Sequence, residues 1–276
     1  MSNKKSFGLI GFPLGHSMSP RIHSELFKLK NVEADYSLIE IPPKKLAQSL
    51  DELLKLNGFN VTIPHKTGII PALSSLSDKA ELFGAVNTVE IKEGKAIGHN
   101  TDCIGFLKAL EAAKIKLEGN VLICGCGGVS RMFAYESALK GADITFGIRK
   151  TSLEKCRALC NEIKEKLGVK SKIVYLDDAG ENYDLIINGT PSGMYPDVDN
   201  CPLERKTIET SRAVFDSIYN PSETLLLKIA RQAGIKHQNG LSMLVWQAAA
   251  AEEIWLGTKF GVSDIQKIIQ TITNYE

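Results

Sequence analysis

Short apolar runs alternate along this chain with longer stretches in which apolar residues recur every three or four positions. That alternation predicts an α/β protein. Ser6–Ile10 reads as a strand, and Ser19-Pro20 as an N-cap followed by proline at the first helical position. Ile22, Leu26 and Leu29 carry that helix to about Lys30. Asp35–Ile41 alternates as a strand. Pro43–Leu56 is amphipathic, with Leu46, Leu50, Leu53 and Leu54 on one face. Phe59–Thr62 is a brief strand, and Val86–Ile91 with Lys95–His99 a hairpin around Glu93-Gly94. A helix is expected from Asp102 to about Ala113. A second cycle opens with Val121–Cys124, short and wholly apolar as in a buried parallel sheet. A helix follows to about Lys140, then strand Ile144–Ile148, helix Leu153–Leu167 and strand Lys172–Leu176. Asp184–Asn188 and Ala213–Asp216 are further strands. Glu223–Ala233, Met243–Leu256 and Ser263–Thr273 are helices.

The chain has 276 residues, long enough for two cores without disulfide or metal staples. No linker-like tract interrupts the pattern. The expected domains are therefore 1–101 with 237–276, and 102–236. Lys and Arg total 33 against 32 Asp and Glu, a net charge of +1, so no general field favours nucleic acid or an anionic membrane. Lys4 and Lys5 before Phe7–Leu14 could pass for a leader. Gly8, Gly11 and Pro13 interrupt that stretch and no small-x-small site follows, so a cytoplasmic protein is expected. The longest apolar run, Leu241–Ala251, is broken by Ser242 and Gln247 and runs into Glu252 and Glu253, too short to span a bilayer. Six cysteines in this context read as free thiols. Cys124 and Cys126 straddle a strand end, Cys156 and Cys160 share a helix face, and the five histidines are scattered, so no metal site is expected.

Gly125-Cys126-Gly127-Gly128 sits between a buried strand and a helix. Glycine there lets the backbone turn tightly and approach a pyrophosphate, which the helix N-terminus meets with amide donors. The plain alternative is an ordinary strand–helix turn, and the third fingerprint position is Ser130 where Gly or Ala is usual. The following strand ends in Arg149-Lys150 with no acid at its tip. Two cations suit a ribose 2′-phosphate better than a 2′-hydroxyl; a solvated basic strand end is the alternative.

The N-terminal half carries polar residues that packing alone does not require. In Gly11–Pro20, Ser17 and Ser19 precede a helix N-terminus, where two hydroxyls can grip a carboxylate. Gly58–Lys66 presents Asn60, Thr62 and Lys66. Gly84–Thr88 contains Asn87, and Gly98–Gly105 contains Asp102. Taken singly, Lys66 is a surface charge and Asp102 a helix cap. Taken together, a lysine with an aspartate is a device for giving and taking the hydroxyl proton when an alcohol is oxidised or a carbonyl reduced.

In this order, and continued by Asn188-Gly189-Thr190-Pro191-Ser192-Gly193-Met194, Asp216–Pro221 and Gly240–Ala248, these motifs resemble the shikimate dehydrogenase family from Phe7 to about Gly257. The resemblance implies an N-terminal α/β substrate domain, a Rossmann-like doubly wound domain, a cleft between them, and C-terminal helices returning to the first domain. It implies reduction of 3-dehydroshikimate by NADPH, on the way to chorismate and the aromatic amino acids. Lys66 and Asp102 match the catalytic pair. Ser17 and Ser19 match the carboxylate site, and Thr62, Asn87 and Gln247 the residues around the substrate hydroxyls, with Asn60 and Tyr219 close by. Gly125, Cys126, Gly127, Gly128, Val129 and Ser130 match the dinucleotide loop. Arg149, with Lys150 beside it, matches the 2′-phosphate ligand. Thr190, Ser217, Gly240 and Met243 fall where the family contacts the ribose or nicotinamide end. Ile148 stands where the family usually has Asn, Cys126 where Ala is common, and Ser217 where an apolar residue is usual. Three other readings fit less well. An NAD-dependent quinate/shikimate branch would carry an acid at the strand tip, a ligand sensor would lack Lys66 or Asp102, and a folate-type dehydrogenase would not need Ser17 and Ser19. A monomer or homodimer acting on a small molecule is expected.

Overall fold

A computed structural model describes residues 4–15 and 17–273. The chain forms two compact units, one from residues up to Gly105 together with those from Leu244 onward, the other from Phe106–Met243.

The first unit begins β1 (Lys5–Gly11), α1 (Ser19–Leu29), β2 (Ala34–Glu40), α2 (Leu46–Leu53), β3 (Gly58–Val61). It continues through α3 (His65–Gly68), β4 (Ser75–Leu76), α4 (Asp78–Phe83), β5 (Thr88–Lys92), β6 (Lys95–His99) and the start of α5 (Asp102–Ala112). Its sheet has the order β2-β1-β3-β5-β6-β4. β1 runs parallel to β2 and β3, while β5 is antiparallel to both β3 and β6. The β5–β6 hairpin closes on Glu93 and Gly94, with φ of 53° and 74°, the two-residue turn whose twist matches the strands.

Two local expectations are corrected. Met18, not Ser19, occupies the N-cap position of α1, and Ser19 is the first helical residue. Pro20 lacks an N–H, and the Ser19 N–H is taken by Ser17 Oγ at 3.3 Å, so the chain enters the helix one residue earlier. The stretch expected as one helix from Pro43 to Leu56 is a 3₁₀ turn, Pro43–Lys45, followed by α2. Leu53 is buried with Ile10, Phe59 and Val61, but Leu54 is 43% exposed. One helical step turns a side chain by about 100°, which carries Leu54 off the face that Leu53 buries.

The second unit contains β7 (Asn120–Cys124), α6 (Gly128–Leu139), β8 (Asp143–Ile148), α7 (Leu153–Leu167) and β9 (Lys172–Tyr175). After these come β10 (Leu185–Asn188), α8 (Arg205–Glu209), β11 (Ala213–Asp216), α9 (Leu225–Gln232) and β12 (Lys236–Gln238). The sheet order is β12-β11-β10-β7-β8-β9, parallel throughout. Strand order reverses between β7 and β10, which makes this a doubly wound, Rossmann-like sheet with its ligand-binding crevice expected at the carboxyl ends of those two strands. Phe133 of α6 packs between Phe106 and Phe215, with ring centroids 4.5 and 5.8 Å away.

The chain ends with α10 (Leu241–Leu256) and α11 (Val262–Thr273). From Leu244 onward these helices belong to the first unit. Trp255 stacks on Phe7 of β1 at 4.7 Å and donates its indole N–H to the Val89 carbonyl at 3.0 Å. Among the described residues, no helix is long and apolar enough to cross a membrane.

Candidate active site

In the first unit the polar residues singled out by sequence converge where β3 ends and α5 begins. Lys66 lies on the short α3, tied down by the Val86 N–H, which donates to the Lys66 carbonyl at 2.8 Å. Its ammonium donates to Asp102 Oδ2 at 2.6 Å. The other carboxylate oxygen accepts from Asn87 Nδ2 at 2.8 Å. That amide also reaches Thr101 Oγ1 at 3.0 Å and Gln247 Oε1 at 3.3 Å. Asn87 Oδ1 accepts from the Thr101 backbone N–H at 2.6 Å and from the Thr88 hydroxyl at 3.1 Å. Asn60 Nδ2 donates to Thr88 Oγ1 at 3.0 Å and to the Asn87 carbonyl at 3.2 Å. The Lys66 and Asp102 side chains are 31% and 18% exposed, whereas Asn60 and Asn87 are buried. The charged pair is therefore open to a ligand, with a hydrogen-bonded amide scaffold behind it. An ammonium and a carboxylate so placed can hold a hydroxyl and pass its proton.

Ser17 is half-buried and Ser19 buried at the start of α1, and Thr62 is half-buried just past β3. His16, inside the same motif, lies outside the described residues. Tyr219 belongs to the second unit, half-buried beyond β11.

Sequence reasoning missed the layer beneath this scaffold. The Tyr36 hydroxyl donates to Asn60 Oδ1 at 2.7 Å, and Ser19 lies against the same hydroxyl. His23 stacks on Tyr36 with 4.1 Å between centroids. Its Nδ1 meets Glu252 Oε1 at 2.8 Å, both side chains fully buried. Burial lowers His23 to about 3 against a smaller opposing pull from Asn60, and burial raises Glu252 to about 9. The one available signal was an acid, Glu252, directly following the alanine run Ala248–Ala251. Thr101 was legible only as the neighbour of Asp102.

This pair fixes a pH dependence of stability. Between about pH 3 and 9 the folded pair holds one proton, on whichever partner. The unfolded chain holds two below pH 4.5, one between 4.5 and 6.5, and none above, from the ordinary values of the two groups. Stability therefore rises with pH from about 3 to 4.5, is flat to 6.5, and falls from there towards 9, by about 1.4 kcal/mol per pH unit in the sloping windows. Urea unfolding of wild type and Glu252→Gln across pH 6.5–9 checks this. The amide cannot titrate, so the variant's curve lacks that fall; parallel curves would refute the assignment.

In the second unit, Gly125 closes β7 with φ of +88°, and a Cβ there would meet Thr190 Cγ2 at 2.9 Å. Nothing lies within 4 Å of where side chains of Gly127 and Gly128 would begin, and Gly127 caps α6 without a side-chain hydrogen bond. The loop thus leaves backbone and space for an anion at the N-terminus of a twelve-residue helix. Ser130 is buried in packing, its hydroxyl donating to the Cys124 and Gly189 carbonyls at 3.4 and 3.3 Å. Val129 is half-buried and Cys126 buried, its thiol directed to the Ser152 carbonyl at 3.8 Å. Arg149, Lys150 and Thr190 line one cavity of about 690 Å³ with Ile148, Tyr175 and Met194. The Lys150 ammonium sits over the Tyr175 ring at 5.7 Å.

Thr190 is held by Asn188 Oδ1, which accepts from its N–H at 2.9 Å and its hydroxyl at 2.7 Å. Asp216, which the sequence marked as the start of a motif but gave no role, organises the loops after β10 and β11. It accepts from Asn188 Nδ2 (3.0 Å), the Ile218 N–H (3.1 Å) and the Thr224 hydroxyl (2.6 Å). Ser217 is half-buried, Met243 buried, and a Cβ on Gly240 would overlap the Ser217 carbonyl.

Fold and site together define a two-unit α/β protein with a Rossmann-like nucleotide unit and a lysine–aspartate centre in the other. Residues 9–89 match the shikimate dehydrogenase substrate binding domain, and residues 240–270 the shikimate 5'-dehydrogenase C-terminal domain. The chain is 42% identical over 279 aligned positions to the shikimate dehydrogenase (NADP(+)) of Methanocaldococcus jannaschii, covering 98% of both chains. A crystal structure of a shikimate dehydrogenase in complex with NADP+ superposes with a TM-score of 0.91 at 40% identity, covering 99% of this chain and 96% of that one. The shikimate 5-dehydrogenase of Listeria monocytogenes, solved with shikimate and NAD, superposes with a TM-score of 0.88 at 32% identity, covering 98% and 97%. The chain belongs to the shikimate dehydrogenase family.

Proposed function

We propose that this protein is an NADP-dependent shikimate dehydrogenase catalysing 3-dehydroshikimate + NADPH + H⁺ ⇌ shikimate + NADP⁺. The observation that carries the reading is the accessible Lys66–Asp102 pair backed by Asn87. The second unit's residues fit the dinucleotide. The open cradle at Gly127 and Gly128 suits a pyrophosphate, and the cavity beside Arg149 suits a phosphorylated ribose. Gly125 to Ser130 would hold the pyrophosphate, and Arg149, with Lys150, the 2′-phosphate. Thr190, Ser217, Gly240 and Met243 would lie toward the ribose and nicotinamide end. The cofactor supplies the hydride.

Lys66 gives its proton to the oxygen of the reduced carbonyl and recovers it in the reverse direction. Asp102 hydrogen-bonds the same hydroxyl and orients the ammonium. Ser17 and Ser19 bind the substrate carboxylate. Thr62, Asn87 and Gln247 surround the ring hydroxyls, with Asn60 and Tyr219 close by. The enzyme acts in the cytoplasm as a monomer or homodimer on a small molecule. The near-zero net charge supports no nucleic-acid or membrane partner. Assays of the purified protein with shikimate or quinate, each crossed with NADP+ or NAD+, test the reading; no turnover of shikimate with either cofactor overturns it.

Cofactor choice rests on Arg149. Lys150 is engaged over Tyr175, and Ile148 offers no polar side chain, whereas Arg149 can make charge-assisted hydrogen bonds to a phosphate. Arg149→Ala is expected to raise the KM for NADP+ by at least tenfold and leave that for NAD+ nearly unchanged. The penalty shrinks at high salt. Equal kcat/KM for the two cofactors in the wild type moves the assignment to the NAD-dependent quinate/shikimate branch.

A further inference from the structure

Behind the lysine–aspartate centre a continuous polar chain runs inward through buried side chains of the first unit. Asp102 accepts from Asn87, whose carbonyl oxygen Oδ1 accepts from Thr88, whose hydroxyl accepts from Asn60. Asn60 accepts from Tyr36, which stacks on His23, which meets Glu252. We propose that Glu252, His23 and Tyr36 are positioning residues for the reaction: Glu252 donates a hydrogen bond to His23 Nδ1, and the fixed imidazole with Tyr36 holds the Asn60 amide in the one orientation that keeps Asn87 directed at Asp102. The proposal rests on the functional reading given above.

The position of one hydrogen decides which atoms are donors. Glu252 Oε1 and His23 Nδ1 are 2.8 Å apart, so one hydrogen lies between them. Glu252 is pushed up to about 9 and His23 down to about 3 by burial, which places that hydrogen on the carboxyl. Nδ1 is then the acceptor, and the ring's own hydrogen is on Nε2. Nε2 reaches no hydrogen-bond partner among the described residues, and the imidazole acts on Asn60 through Tyr36, on whose ring it stacks at 4.1 Å. The Tyr36 hydroxyl sets the orientation of the amide. Burial first, and the nearby Glu252 second, keep the Tyr36 phenol well above its ordinary value, so it remains a donor to Asn60 Oδ1. With the oxygen committed inward, the Asn60 NH₂ must point to Thr88 and the Asn87 carbonyl, as it does. Tyr36 also touches Ser19, so one phenol joins the proposed carboxylate site to the proposed proton-transfer site. The groups facing the Glu252 carboxyl are His23 from α1 and Tyr36 from β2, with Trp255 of its own helix against the imidazole at 5.6 Å. Among the described residues no cation is paired with it.

The test compares Glu252→Gln, Glu252→Ala and Tyr36→Phe with wild type in shikimate oxidation by NADP+. A glutamine amide can still donate to Nδ1, so Glu252→Gln retains kcat within about twofold. Glu252→Ala and Tyr36→Phe lower kcat by roughly 10- to 10²-fold, the upper end being the cost of misplacing a reacting group by about 1 Å, with the KM for NADP+ unchanged. Raising the pH through 9 lowers wild-type kcat relative to Glu252→Gln at the same pH; other titrating groups are common to both and cancel in the ratio. Selective ¹⁵N-histidine spectra of the wild type show His23 neutral with its hydrogen on Nε2. Wild-type kcat in folded Glu252→Ala and Tyr36→Phe, or a His23 that is doubly protonated or carries its hydrogen on Nδ1 at pH 7, overturns the proposal. If Glu252→Ala does not fold, Tyr36→Phe and the spectra decide. A wild type inactive on shikimate overturns the functional reading instead, and leaves the tautomer result to stand alone.

Discussion

Lys66→Ala lowers turnover of shikimate by roughly 10²- to 10⁴-fold, the range for loss of a general acid–base group, and changes shikimate affinity much less. Asp102 holds the Lys66 ammonium at 2.6 Å while its second oxygen is anchored by Asn87 at 2.8 Å. The carboxylate therefore stays in place when the lysine is gone, and the substrate keeps one of its two partners at the reacting hydroxyl. The loss falls on proton transfer. Steady-state kinetics with both substrates varied separates the two effects, and near wild-type turnover in the variant removes Lys66 from the mechanism.

Joint replacement of Ser17 and Ser19 by alanine weakens shikimate binding by roughly a hundredfold or more and leaves NADP+ affinity unchanged. Each hydroxyl–carboxylate bond is worth about 1.5–3 kcal/mol, and every 1.4 kcal/mol is about tenfold. Ser17 Oγ already accepts the Ser19 N–H at 3.3 Å, so its own hydrogen remains for a ligand. Ser19 opens an eleven-residue helix, whose N-terminal end favours an anion. Calorimetric titration gives both affinities, and undiminished shikimate binding in the double variant dismisses the carboxylate site.

What could be read in the residues followed the length and regularity of each element. Val121–Cys124 and Ala213–Asp216 are apolar because both faces of a parallel sheet are covered, and such runs stand out without any partner in view. β4, α3 and α8 hold two, four and five residues, too few to show a period. Leu54 shows how a face inferred from spacing can include one residue too many. In the site, Lys66, Asn87 and Asp102 were legible because each sits in a glycine-flanked motif that packing does not need. His23, Tyr36 and Glu252 were not. An acid in an alanine-rich helix reads as its solvent side until the fold shows that α1 and β2 cover it. Asp216 opened a recognisable motif, but its place at the end of an otherwise apolar strand gave no hint of the loops it ties together.

The stacking of Trp255 on Phe7 has a consequence for synthesis on the ribosome. The 106–243 unit is one continuous stretch of chain, so all its strands are made in a single run. Strand β1 emerges before any of them, and Phe27, which also stacks on Phe7, follows soon after, yet Trp255 is made only after the whole of that unit. At the usual 5–20 residues per second, the stretch between Gly105 and Trp255 takes on the order of ten seconds. For that interval Phe7 lacks its Trp255 partner, while the middle of the chain is already complete. The unit that is begun first is therefore the last to be completed.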